Sequence, residues 1–305
     1  MKKILSFILA ICLIIPVSLG LVACKEDKEP KITEIWDGTI AEVSAPVDGV
    51  ITIETAEELA GLAVAVNGNT SFAGITIKLA KSMDLDNLDW TPIGNKGTVT
   101  DASCSFRGHF DGNGKTIKNL KVSGSHNVGL FGVVTGDNLS EENITSIKNL
   151  KIVNALVTGN SCAGALAGKV INQYTRVEIS KVKVESVRVE VVPELVAPET
   201  YGYGDSVGGI IGYVEGANVT DCSAKNISLL AYRDVGGMIG SVVSRVDRKA
   251  RISGTYRNIV IVVDQRTYHY GEIEANATPD VGRNVGYNII DIDGYKSNIT
   301  VNYKM

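Results

Sequence analysis

A glycine-rich apolar cluster returns five times along this chain, and that recurrence limits the folds open to it. The copies are Val128-Gly129-Leu130-Phe131-Gly132, Gly164-Ala165-Leu166-Ala167-Gly168, Val207-Gly208-Gly209-Ile210-Ile211-Gly212-Tyr213, Val235-Gly236-Gly237-Met238-Ile239-Gly240 and a degenerate Val285-Gly286-Tyr287. The closing glycines lie 36, 44, 28 and 46 residues apart. Three polar insertions account for the irregularity: Asp137 to Asn143, Pro193 to Ser206 and Gln265 to Asp280. Without them the repeat settles near 30 residues. Fixed-period self-similarity marks a stacked-repeat architecture.

Between the clusters, apolar and polar residues alternate. Ile117 to Val122, Ile147 to Ile152 and the long stretch Val177 to Val191 do so plainly. Period-two alternation places one face of a strand inside and the other in solvent. Composition agrees: 32 Gly, 7 Pro and only 6% aromatic residues in 305. A propeller blade needs four strands in about 40 to 45 residues, which exceeds this repeat. A single-chain parallel β-helix, an all-β solenoid with one coil per repeat, fits. Gly in the bends is expected to supply positive φ and close approach between coils.

One segment reads as helix. Thr55-Ala56-Glu57-Glu58 is a capping box, in which hydroxyl and carboxylate satisfy free N–H groups reciprocally. Asn67-Gly68 ends it, and Leu59, Leu62, Ala63 and Val66 share one face. The reading is an amphipathic capping helix over about 55–67, covering the open edge of the first coil.

The N-terminus reads as an address. Met1-Lys2-Lys3 is basic and Ile4 to Leu21 is apolar, the pattern of a secretory signal peptide. Leu21-Val22-Ala23-Cys24 resembles the bacterial lipobox. That resemblance implies removal of residues 1–23, diacylation of Cys24 and attachment to a membrane through its lipid. Residues 24–35 then form a disordered tether beginning Lys25-Glu26-Asp27-Lys28-Glu29, and 36–305 the β-helix domain. Lys followed by two acids also resembles the surface-export signal of some Bacteroidetes lipoproteins.

Further words carry a wider likeness. Thr55-Ala56-Glu57-Glu58-Leu59-Ala60, Trp90-Thr91-Pro92-Ile93-Gly94, Phe106 to Ile117 and the glycine clusters together resemble bacterial cell-surface proteins with Glug-type repeats. The resemblance runs from about Ile51 to Gly240. It implies a parallel β-helix on a secreted or surface-attached chain, and it transfers no catalytic residue. Ala165 and Ala167 depart from the larger residues of the other copies.

Chemistry-bearing motifs are sparse. Net charge is −4, with 30 basic and 34 acidic residues, unlike a nucleic-acid binder. Asp84-Leu85-Asp86-Asn87-Leu88-Asp89 lacks the ligand and Gly positions of an EF-hand loop and reads as solvated turn acids. Asp111-Gly112-Asn113-Gly114 reads as a turn using positive φ, since no P-loop Lys or helix follows. Gly159 to Gly164 has the wrong spacing for a nucleophile elbow. Cys104, Cys162 and Cys222 read as small apolar residues in inward stacks. No cofactor or metal is indicated.

Loops on a rigid scaffold carry function more often than its strands. Pro193–Ser206 holds Tyr201 and Tyr203; Gln265–Asp280 holds Tyr268 and Tyr270. These four tyrosines are the candidate ligand-binding residues, suited to stacking on sugar rings. Packing back onto the flank is the alternative. Arg245, Arg248, Lys249, Arg251 and Arg257 form one basic cluster. The expected function is a non-catalytic cell-surface lipoprotein of the bacterial envelope, an adhesion module for an extracellular glycan or surface protein. The alternatives are a polysaccharide-degrading β-helix enzyme and a structural envelope component.

Overall fold

Strands built from the alternating segments stack side by side in parallel. The computed structural model describes residues 32, 35–95, 103–136, 144–172, 175–191, 206–231, 234–243, 250–264, 281–282, 285–287, 292–295 and 299–304. One compact unit begins at Ile32. It is mostly β, with sheets of 15, 5 and 3 strands among the described residues. All pairings between its named strands are parallel. This matches a parallel β-helix-like arrangement.

The largest sheet divides into three columns. Column one stacks Val50–Ile53, Thr76–Leu79, His109–Asp111, Thr145–Lys148 and Val177–Ser180. Column two stacks Met83–Asp84, Thr116–Lys118, Lys151–Val153 and the start of Lys183–Val191. Column three stacks Lys121–Ser123, Leu156–Gly159 and the end of Lys183–Val191. Later in the chain these pieces fuse: Asn218–Ala231 and Arg251–Asp264 each run as one 14-residue strand through all three columns. Inward residues such as Ile77, Phe110, Ile147, Ile179 and Val219 are fully buried and share one register row.

The corners between columns are made by asparagine more than by glycine. Asn119, Asn154, Asn226 and Asn258 have φ of 54–60°, as does Ser186 at 57°. They fall at equivalent places between columns two and three. Asn tolerates the left-handed region because its amide bonds locally. Here the amides also bond each other: Asn119 donates to Asp84 Oδ1 at 2.7 Å, Asn154 to Asn119 at 2.5 Å and Asn258 to Asn226 at 2.9 Å. Ser186 interrupts the series between Asn154 and Asn226. Its exposed side chain has no reach to either neighbour's amide. Ser186→Asn is therefore expected to raise the melting temperature by roughly 2–4 °C, from relieved backbone strain and one or two new hydrogen bonds. A thermal melt showing no gain would count against this account of the corner.

The cluster glycines do something else. None of those in the clusters at 129–132, 164–168, 207–212 and 235–240 has positive φ, contrary to the expectation from sequence. They permit the close approach that was also expected. The cluster feeds two small sheets. Phe131–Thr135, Ala167–Ile171, Ile211–Glu215, Ile239–Val243 and Val285–Tyr287 form one. Val207–Gly208, Val235–Gly236 and Val281–Gly282 form the other. A Cβ on Gly168 would lie 2.3 Å from Asn127 backbone atoms, and one on Gly240 2.3 Å from Val207 N. The closing glycine of one repeat thus lies against the opening residues of the previous cluster.

The helix Ala56–Asn67 has Thr55 as N-cap, with both bonds of the capping box present. Leu59, Leu62, Ala63 and Val66 are buried. Asn67 ties its far end to the Trp90-to-Gly94 segment. Its amide donates to Pro92 O at 3.0 Å, and its Oδ1 accepts from Gly94 N at 3.0 Å and Asn95 N at 2.8 Å. Trp90 donates to Leu130 O and meets Trp36 edge-on at 5.5 Å. Ile35 already pairs with Asp84 in a parallel bridge. Among the described residues no helix is long and apolar enough to cross a membrane.

Candidate functional site

The interior is apolar, so chemistry must come from outward residues and from the insertions. Cys24, Tyr201, Tyr203, Tyr268 and Tyr270 lie outside the described residues, as do Arg245, Arg248 and Lys249. The described flanks still locate where the two tyrosine segments depart. One follows Val191 and the other follows Asp264, both at the end of column three. They rejoin at Val207 and Val281, which belong to the same small sheet. Glu190, Leu230 and Val262 share one register row, so the two departure points are two strands, about 10 Å, apart. Both tyrosine-bearing segments thus follow the end of column three.

Column two, which precedes column three along each strand, presents its own outward face. Lys118, Lys151, Lys183, Lys225 and Arg257 all project there, each half-buried or exposed. Lys225 Nζ bonds Glu185 at 2.8 Å and Lys151 Nζ approaches it at 3.5 Å. The Lys225 bond, opposed by partial burial, holds the Glu185 carboxyl below its usual range. In column three, cations are matched singly: Lys121 with Asp89 at 2.9 Å and Arg188 with Glu190. Of the expected basic cluster, Arg251 sits in column one opposite Asn218, while Arg257 joins column two opposite Lys225. The other column-two cations were missed because they are about one coil apart in sequence. Lys-Asn pairs at Lys118-Asn119 and Lys225-Asn226 were the available signal, a cation placed just before a corner asparagine.

Column one carries a serine–histidine pair. His109 Nδ1 lies 3.0 Å from Ser146 Oγ, on directly opposed residues. Glu178, next in the row, pairs with Arg176 at 2.9 Å instead of orienting the imidazole. The pair lies on a strand face and makes a cross-strand hydrogen bond. Burial, and then the charge of Lys148, lower the pKa of His109 below 6.5. The neutral ring is therefore favoured on folding. Its contribution is complete above pH 6.5 and is lost as pH falls through the lower folded value. His109→Gln is expected to flatten the acid-side stability loss between that value and pH 6.5, measured by urea midpoints across pH. An unchanged profile would contradict it.

The remaining motifs are structural. Asp84 Oδ1 accepts from Asp86 N and Asn119, and Leu85 is fully buried. Among the described residues no group of three or more His, Cys, Asp or Glu could hold a metal. Asn113 and Gly114 have positive φ in their turn, and Asn113 N bonds Asp111 Oδ1. Cys162 and Cys222 are buried, and burial pushes the Cys222 thiol up to about 12. Cys104 departs from expectation: it is only partly buried and has φ of 57°. A cavity of about 200 Å³ at the helix start is lined by Trp36, Thr55, Glu57, Ser82 and Met83.

One stretch of the chain matches a known repeat. Residues 203–229 match the GLUG motif family. That stretch takes in the closing cluster Val207–Gly212 and most of the fused strand Asn218–Ala231. Halomucin of Haloquadratum walsbyi is 32% identical over 140 residues, covering 43% of this chain. The chain spans about 1% of the length of that relative. A solved Bacteroides ovatus chain, proposed to be an immunoglobulin A1 protease, aligns over 83% of both chains at 14% identity and a TM-score of 0.34. At that score the likeness carries no argument.

Proposed function

We propose that this chain is a non-catalytic binding module of the cell surface, held to its membrane through lipid on Cys24 and engaging a glycan or surface protein. The stacked columns form a parallel β-helix solenoid, and the helix Ala56–Asn67 caps its first coil. The observation that carries the reading is the shared corner: an otherwise regular coil releases both tyrosine-bearing segments at the end of column three, two strands apart. Regular outward rows with cross-strand pairing offer an extended contact surface. The GLUG match and the halomucin segment support a surface setting for the chain. Aromatic rings suit the faces of sugars, with phenol groups to hydrogen-bond their rims.

The test is affinity for a captured ligand in four single variants. Tyr201→Ala, Tyr203→Ala, Tyr268→Ala and Tyr270→Ala should each weaken binding, with the strongest losing about tenfold or more. Unchanged affinity in all four would move the site away from this corner and overturn the reading.

A further inference from the structure

We propose that the outward face of column two binds a linear acidic polysaccharide, one bearing carboxylates or sulfates along its length. This rests on the binding-module reading and gives it a ligand class. Lys151 and Lys183 are directly opposed on adjacent parallel strands, and so are Lys225 and Arg257. Like charges facing across a strand pair destabilise a sheet. Glu185 is the shared acid beside them and touches only Lys151 and Lys225. Lys118, Lys183 and Arg257 have no acid within ion-pair distance among the described residues. Asp84, opposite Lys118, is instead bonded by Asn119 and Asp86 N. The face is therefore cationic on a chain whose net charge is −4. Column three, one corner away, is balanced acid for base.

The geometry sets the partner's shape. Successive strands repeat at about 4.8 Å, so the cations line a strip along the stacking direction in two adjacent rows, Lys151 and Lys183 in one and Lys118, Lys225 and Arg257 in the other. A linear polymer with repeated anions can run along that strip and relieve the repulsion within the opposed pairs Lys151/Lys183 and Lys225/Arg257. A neutral glycan gains nothing there. Steering by such a row is sensitive to salt.

The test is calorimetric titration of the full chain in detergent with polygalacturonate, neutral dextran and duplex DNA. Polygalacturonate should bind saturably, and more weakly as salt rises. The double variant Lys183→Gln/Arg257→Gln should lose about tenfold in affinity, while Lys78→Gln, exposed on column one, should lose none. Polygalacturonate should also raise the melting temperature of the wild-type chain and not that of the double variant. Equal polygalacturonate affinity in the double variant would overturn the proposal. So would absence of polygalacturonate binding from a chain that still captures a neutral glycan through its tyrosines, a result that leaves the binding-module reading intact. Tighter binding of DNA than of polygalacturonate would overturn the polysaccharide assignment. Failure with every glycan and every surface protein would remove both.

Discussion

Replacing Gly168 by Ala is expected to lower the melting temperature by at least about 6 °C, a loss of about 3 kcal/mol or more. The added methyl would meet Asn127 Cα and C at 2.3 Å and Val128 N at 2.5 Å. All three are backbone atoms, so no side chain can swing aside. Two stacked coils would have to separate, and every parallel pairing near Ala167–Ile171 would feel it. Gly114→Ala is the matched control. Gly114 has φ of 70° and nothing within 4 Å of its would-be Cβ. Its cost is backbone strain alone, about 1 kcal/mol. Equal losses at the two sites would show that close approach is not what the cluster glycines provide.

The second large effect is expected at Phe131. Its ring lies 5.2 Å from Phe106 and 5.3 Å from Phe110, tilted to one and edge-on to the other. All three side chains are fully buried. They join the sheet of Phe131–Thr135 to column one across the interior of the first coils. Phe131→Ala should cost about 3–5 kcal/mol, because parallel strands fixed in register cannot collapse into the void. Phe131→Leu should cost less than half as much. Urea unfolding with an unchanged m-value would measure both. A loss below about 1 kcal/mol for the alanine variant would mean that this cluster is not closely packed.

How much of this was legible depended on how local the cause is. Alternation located the strands, because burial on one face needs only neighbours two residues apart. The capping box located the helix start for the same reason. The glycine clusters were legible as repeats and their close approach was expected, but the positive φ expected with it falls elsewhere. Positive φ is a local property, whereas the atoms that exclude a Cβ at Gly168 belong to another coil. The corners were legible in principle as slips of phase. Ser180-Lys181, Glu185-Ser186, Lys225-Asn226 and Arg257-Asn258 each put two polar residues in succession. Positive φ falls on the second of each pair. Read that way, Val177 to Val191 is two strands separated at Lys181, not one. The cationic face was hidden because register, not sequence, brings its members together. Cys104 differed because it sits in a turn, so its small size did not take it inside.

The central claim is binding without turnover, and one measurement bears on it most directly. The chain would be screened on a glycan array, and each glycan retained would then be incubated with it and assayed for new reducing ends. Saturable capture with no release is the expected result, with affinity reduced in the tyrosine variants. Release of reducing ends, abolished by a single acid-to-amide substitution, would contradict the account and make the chain a polysaccharide-degrading enzyme.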